Sequence, residues 1–195
     1  MGKKGRLFVI SGPAGSGKTT LCGQLEAEFS KVKRVVTTTS RAPRGSEVEG
    51  VDYYFLSVEA FRERIEAGAF YEWAEVHGRY YGSERARVLE GLDAGNDLLL
   101  NIDVQGAESY RKAAEADSNL AEHLVTIFVQ PKNLAQIRER LVGRGTDDLG
   151  EIERRLKTAE MEMKEADKFD HVINSGSKEA DYAAIRRLYL ESDVI

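Results

Sequence analysis

An α/β fold, with a mostly parallel sheet flanked by helices, is what this 195-residue sequence predicts, and three observations predict it. Short apolar runs rich in β-branched residues alternate with amphipathic segments, the rhythm of parallel strands joined by crossover helices. The first run, Leu7-Phe8-Val9-Ile10, leads directly into Gly12-Pro13-Ala14-Gly15-Ser16-Gly17-Lys18-Thr19, a glycine-rich strand-to-helix loop. The chain is also long enough for one well-buried core with insertions and too short for two. With 42% hydrophobic and 31% charged residues and three prolines, the composition is globular rather than disordered or fibrous.

Taken in order, the first strand spans 6–11, and the helix that follows the loop spans 17–29. Further core strands are expected at 97–103, 123–129 and 169–174, with helices at 105–117, 133–142 and 178–191, the second of these entered at Pro131. Two segments break the rhythm. Residues 35–83 carry Arg41, Arg44, Tyr53, Tyr54, Tyr71, Trp73, Tyr80 and Tyr81 among scattered glycines, which reads as short strands and turns displaying aromatics. After Gly143, the residues Ile152, Leu156, Ala159 and Met163 form an apolar stripe at helical spacing, a helical excursion suited to a lid. The expected organisation is one domain over 1–195, with its core at 1–34, 84–142 and 167–195, an insertion at 35–83 and a lid at 143–166.

The loop fits G-x-x-x-x-G-K-[ST] without a mismatch, and each position has a physical reason. Glycines at 12, 15 and 17 let backbone N–H groups crowd around a phosphate because no Cβ blocks positive φ. Lys18 can reach the outer phosphates, the Thr19 hydroxyl can ligate Mg²⁺, and the helix beginning near Gly17 points its positive end at the same anion. The sequence therefore predicts nucleotide binding over Gly12, Pro13, Ala14, Gly15, Ser16, Gly17, Lys18, Thr19 and Thr20.

The net charge of −5 argues against broad nucleic-acid binding, so any further anion site must come from local clustering of arginine. The single cysteine, Cys22, can form no internal disulfide, which suggests a reducing, cytoplasmic setting. No apolar stretch approaches 18 residues, and no membrane association or obligate protein partner is expected. His77, His123 and His171 have no cysteine or carboxylate at metal-ligand spacing and read as structural.

Five ordered motifs, at 11–20, 38–53, 72–83, 102–106 and 140–146, make the chain resemble guanylate kinases over nearly its whole length. That resemblance implies ATP and GMP (or dGMP) as nucleotide partners, Mg²⁺ as cofactor, a GMP-binding role for the insertion, and direct transfer of the γ-phosphoryl group. On the acceptor side it implies Thr37, Arg41, Arg44, Glu47, Tyr53, Glu72, Tyr81, Ser83 and Asp103 as GMP ligands. Arg41 and Arg44, three apart, could converge on one phosphate and bind it bidentately, although paired loop arginines are often merely solvated. A carboxylate at Glu72 pairs with the guanine N1–H and exocyclic amine, whereas adenine would present a lone pair to it. Thr37 and Ser83 match family hydroxyls near the guanine O6, and Trp73 is assigned to packing.

On the donor side the resemblance adds Lys18, Arg140, Arg144 and Arg155 as catalytic cations, with Asn174 near the adenine. Arg154 is read as solvated, and Arg138 is left unassigned. Family members often have Asn-Asp where this chain has Asn174-Ser175. Asp103, expected at a strand's carboxyl end, has two roles open, orienting Mg²⁺ or contacting the guanine amine. Asn101 stands where members usually carry an acid, which weakens a metal role there. Two alternatives compete with guanylate kinase activity: an inactive interaction module of similar sequence, and a related kinase acting on a ribose bisphosphate. The intact Lys18 and Thr19 speak against the first, and Glu72 with Tyr80-Tyr81-Gly82-Ser83 speaks against the second.

Overall fold

The computed structural model describes residues 4–145 and 148–192, apart from the side chain of Arg144. In chain order the elements are β1 (Leu7–Ser11), α1 (Lys18–Glu28), β2 (Val32–Arg34), β3 (Thr38–Thr39), β4 (Tyr54–Phe55) and α2 (Val58–Glu66). There follow β5 (Phe70–Val76), β6 (Arg79–Glu84), α3 (Arg85–Asp93), β7 (Asp97–Asn101), α4 (Val104–Ala116) and α5 (Ser118–Ala121). The remainder is β8 (Leu124–Pro131), α6 (Leu134–Arg144), α7 (Leu149–Glu162), a 3-10 turn (Met163–Lys168), β9 (His171–Ser175) and α8 (Lys178–Glu191). A five-stranded sheet has the order β2-β7-β1-β8-β9, with β2–β7 and β8–β9 parallel, and a four-stranded sheet has the order β4-β3-β6-β5. The predicted α/β class with a mostly parallel sheet is the observed one.

The backbone divides into two compact units. The first holds the residues up to Leu7, Lys31–Leu100 and Glu108–Leu124. Within it β5 and β6 form an antiparallel hairpin closed by His77 and Gly78, both at positive φ, as a two-residue turn with right-handed strand twist requires. Cross-strand register places Glu72 opposite Ser83 and Trp73 opposite Gly82, with an irregularity between Phe70 and Glu72. Gly82 is dictated by close approach, because a Cβ there would lie 2.7 Å from the Glu72 carbonyl oxygen. Phe61 of α2, fully buried, stacks on Phe70 at 4.5 Å and on Tyr80 at 5.4 Å, and so fastens the helix to the hairpin.

The second unit holds Phe8–Ser30, Asn101–Ala107 and the chain from Val125 onward. Its core begins in β1, which is buried along its whole length. Helix α1 buries Leu21, Cys22 and Leu25. Helices α6 and α7 pack through Ile137, Leu141, Ile152, Leu156 and Ala159, and that cluster touches Ala14 of the phosphate loop. Of the apolar stripe expected over 152–163, Ile152, Leu156 and Ala159 form the buried face of α7, and Met163, just past its end, packs partly buried against the same cluster.

Two expected boundaries move. Strand β7 stops at Asn101 rather than 103, because Asp103 caps α4: its Oδ1 accepts from the Gly106 N–H at 2.8 Å. Pro131 is the last residue of β8 rather than a helix entry, and α6 is capped by Asn133, whose Oδ1 accepts from Gln136 N–H at 3.0 Å. Among the described residues no helix is long and apolar enough to cross a membrane.

Candidate functional site

The phosphate loop is shaped by its glycines. Gly12, Gly15 and Gly17 all have positive φ, and a Cβ on Gly12 would meet the Val129 carbonyl oxygen at 2.5 Å. Gly17 is also the N-cap of α1 and supplies no side-chain cap to the first turn, and the positive end of a helix favours an anion there. Lys18 Nζ donates to the carbonyls of Gly12 at 2.6 Å and Pro13 at 3.0 Å, which holds the ammonium over the loop. Two further loop carbonyls are tied from outside. Arg140 donates to the Gly15 and Ser16 oxygens at 3.2 and 3.1 Å and, with its other nitrogen, to Ser175 Oγ at 3.1 Å. Ser175 in turn donates to Asp181 Oδ2 at 2.7 Å.

This chain of groups walls a cavity of about 530 Å³ lined by Gly15, Gly17, Thr20, Gln24, Arg140 and Ser177, among others. That volume suits a nucleoside. Asn174, expected near the adenine, is exposed in β9 and is not among the lining residues; Gly176, Ser177 and Lys178 are. Ser175, in the position of the family's usual acid, serves instead as the link between Arg140 and Asp181.

Thr19 is exposed at the start of α1, and Asn101 Nδ2 donates to its Oγ1 at 3.2 Å. Asp103 is exposed as well, with one carboxylate oxygen engaged in the α4 cap. Among the described residues no cluster of three or more His, Cys, Asp or Glu could hold a metal by itself. A hydroxyl and a carboxylate are the hard oxygen donors Mg²⁺ takes, and an ion that keeps waters and phosphate oxygens needs few protein ligands. The residues therefore fit Mg²⁺ carried in with a nucleotide. Glu162, the last residue of α7, had no motif to mark it. Burial pushes its carboxyl above the usual glutamate range, the Lys18 ammonium opposing and the Asp103 carboxylate adding to the shift.

Of the other cations, Arg155 is paired within its own helix, Nε donating to Glu151 Oε1 at 2.9 Å. Arg154 is 76% exposed at its side chain, in keeping with the solvated reading, and the unassigned Arg138 pairs with Glu153 of α7. The Arg144 side chain lies outside the described residues.

The residues of the first unit expected to bind the acceptor are held by contacts with one another. Arg41, nearly buried, makes a two-pronged ion pair with Glu47, Nη1 to Oε2 at 2.8 Å and Nη2 to Oε1 at 2.9 Å. Glu47 Oε2 also accepts from the Arg44 N–H at 2.7 Å, so one carboxylate sets the loop that carries both arginines. The Glu47 partner, and after it the Tyr81 hydroxyl, raise the Arg41 pKa above the ordinary guanidinium range, while Arg41 holds the Glu47 carboxyl below the glutamate range. The Tyr53 ring lies 5.3 Å from the Arg41 guanidinium and 6.1 Å, edge-on, from Tyr81. Arg41, Arg44, Glu47, Tyr53 and Tyr81 are thus brought together.

Glu72 lies half-buried on β5, and Ser83 Oγ donates to its Oε1 at 2.7 Å. Ser83 is itself fully enclosed, so its proton is committed to Glu72. Thr37 precedes β3 and its carbonyl accepts from Tyr54 N–H. Trp73 is 47% exposed and only edges against Tyr80 at 5.9 Å, so its packing role is partial.

Comparison with known proteins agrees with this geometry. The family model described as guanylate kinase matches residues 4–192. A guanylate kinase of Clostridioides difficile is 42% identical over 171 residues, covering 88% of this chain and 80% of the relative. One from Nitratidesulfovibrio vulgaris is 41% identical over 189 residues, covering 97% and 88%. The crystal structure of guanylate kinase from Anaplasma phagocytophilum superposes with a TM-score of 0.71 at 29% identity, covering all of this chain and 89% of that one. The match over nearly the whole length, on a chain with an intact phosphate loop, shows that it belongs to the guanylate kinase family.

Proposed function

We propose that this chain catalyses Mg²⁺-dependent transfer of the ATP γ-phosphoryl group to the phosphate of GMP, giving ADP and GDP. The observation that carries the reading is the pairing of an intact phosphate loop with a Glu72 carboxylate aimed by Ser83, since only a purine with donors at N1 and the exocyclic amine satisfies that carboxylate.

The loop amides and the α1 N-terminus take the donor phosphates, and Lys18 exchanges its carbonyl partners for phosphate oxygens. Arg140 keeps the loop in shape. Arg41 and Arg44, with the Tyr53 and Tyr81 hydroxyls, hold the acceptor phosphate. Its oxygen is already anionic, so no side chain need remove a proton. The chain contributes position and charge neutralisation, with Arg144 and Arg155 as the cations that meet charge developing on the transferred group. Thr19 and Asp103 would hold Mg²⁺, which supplies charge neutralisation on the donor phosphates when bound. An inactive interaction module has no need of the glycine conformations and the held lysine seen in the loop. A reducing cytoplasm suits an enzyme of this kind whose one cysteine is buried.

The test is an assay of ADP release with GMP, dGMP, AMP, CMP, UMP and a ribose bisphosphate as acceptors. GMP and dGMP should support turnover. Turnover with the ribose bisphosphate and not with GMP would overturn the reading.

A further inference from the structure

Tyr110 belongs to no motif, yet its hydroxyl sits beneath the base-reading carboxylate. It lies in α4, its side chain has no exposure, and its ring packs against Tyr71 at 5.1 Å. Its hydroxyl is 2.7 Å from Ser83 Oγ, and Ser83 Oγ is 2.7 Å from Glu72 Oε1. Counting protons fixes the direction of this chain. An ionised carboxylate only accepts, so the one Ser83 proton goes to Glu72. Ser83 Oγ is then the acceptor toward Tyr110, and the phenol must donate. Burial raises the Tyr110 pKa well above the ordinary phenol value, so the donor proton stays in place throughout the physiological range.

We propose that Tyr110 is a positioning residue for guanine recognition: through Ser83 it fixes the direction of the hydrogen bond that aims the Glu72 carboxylate at the base. The inference rests on the reading of Glu72 as the GMP base reader. Without the phenol, the Ser83 hydroxyl loses its donor and can rotate away from Glu72. With it, each bond in the chain polarises the next and the carboxylate is held in one orientation. Tyr110 does not touch the base. Its effect is therefore on discrimination, because two parallel bonds from one carboxylate to N1–H and to the exocyclic amine require that carboxylate to be aligned.

Tyr110→Phe in the full chain tests this, since the ring and its packing remain and only the hydroxyl is lost. Titration calorimetry with GMP, with IMP (which lacks the exocyclic amine) and with a non-hydrolysable ATP analogue should be run alongside thermal unfolding. GMP affinity is expected to fall roughly three- to tenfold, the worth of one neutral hydrogen bond, and IMP affinity by less, so the GMP-to-IMP ratio shrinks. ATP-analogue affinity should stay at the wild-type value. Ser83→Ala should reproduce the smaller ratio, and Tyr110→Phe added to it should cost nothing more. Equal losses for GMP and IMP, an unchanged ratio, or additive losses in the double variant would overturn the proposal. A wild-type chain that binds no GMP would overturn the acceptor reading itself, and this proposal with it.

Discussion

The phosphate loop and the base-reading hairpin solve the same problem, holding a charged ligand, with different parts of the chain. At the loop the contacts that matter are backbone ones: three glycines at positive φ, an N-terminal helical turn whose cap has no side chain, and a lysine leaning on loop carbonyls. At the hairpin and the arginine loop before it the contacts are between side chains already paired with each other, Arg41 with Glu47 and Glu72 with Ser83 and Tyr110. A backbone cradle is insensitive to what the nucleotide's base is. A carboxylate fixed by side-chain hydrogen bonds is sensitive to little else. On the proposed reading, affinity for triphosphate belongs to the loop and choice of base to the hairpin, so each should break without the other.

Removing Lys18 should have the largest effect. Lys18→Met deletes a phosphate-facing charge from a surface loop and no core volume, so turnover is expected to fall about a hundredfold or more in a normally folded protein. Kinetics and thermal unfolding measured on the same sample check this, and near-wild-type turnover would remove the loop from the mechanism.

On the other side of the comparison, and on the proposed reading, Arg41→Ala removes one phosphate-binding cation and leaves the Glu47 carboxylate without its guanidinium partner, held only by the Arg44 N–H. Repulsion then adds to lost attraction, so GMP affinity should drop further than in Arg41→Ala/Glu47→Gln, where the leftover charge is gone. Titrations of both variants decide it; equal losses would mean that Glu47 is only structural.

The smallest expected effect sharpens the account of the loop. Glu162 has a folded-state pKa above its unfolded value, so the fold favours its neutral form. Stability is then fully present below the unfolded pKa, near about 4.3, and is lost progressively as pH rises through the folded value. Glu162→Gln should match wild type in acid and have the higher Tm near neutrality. A Tm difference that does not change with pH would show that burial of the carboxyl is not its cause.

How much of this was legible in the sequence follows the same division. The loop could be read residue by residue, because positive φ and close backbone approach demand glycine, and its strand and helix flank it within a few positions. Helix α2 lies inside the aromatic-rich stretch 35–83, whose aromatics and glycines read as short strands and turns, and its apolar face, led by the buried Phe61, is masked by that composition. The paired arginines and Glu72 were found through motif resemblance, but what holds them was not. Ser83 meets Tyr110 across 27 residues, and Arg140 meets Gly15 across 125, and no local pattern encodes such distances. Asp103 was placed on a strand because the apolar run before it continues through Ile102, and the competing helix cap won.

The most direct test of the division titrates GMP and a Mg²⁺-loaded, non-hydrolysable ATP analogue separately into wild type, Lys18→Met and Glu72→Gln. Glu72→Gln keeps the shape of the side chain and loses its charge, so GMP binding should weaken by about 2 kcal/mol, the worth of a charge-assisted hydrogen bond, with the ATP analogue unaffected. Lys18→Met should do the reverse. If both variants weaken both ligands alike, or Glu72→Gln leaves GMP affinity unchanged, base choice does not reside in the hairpin and the account is wrong.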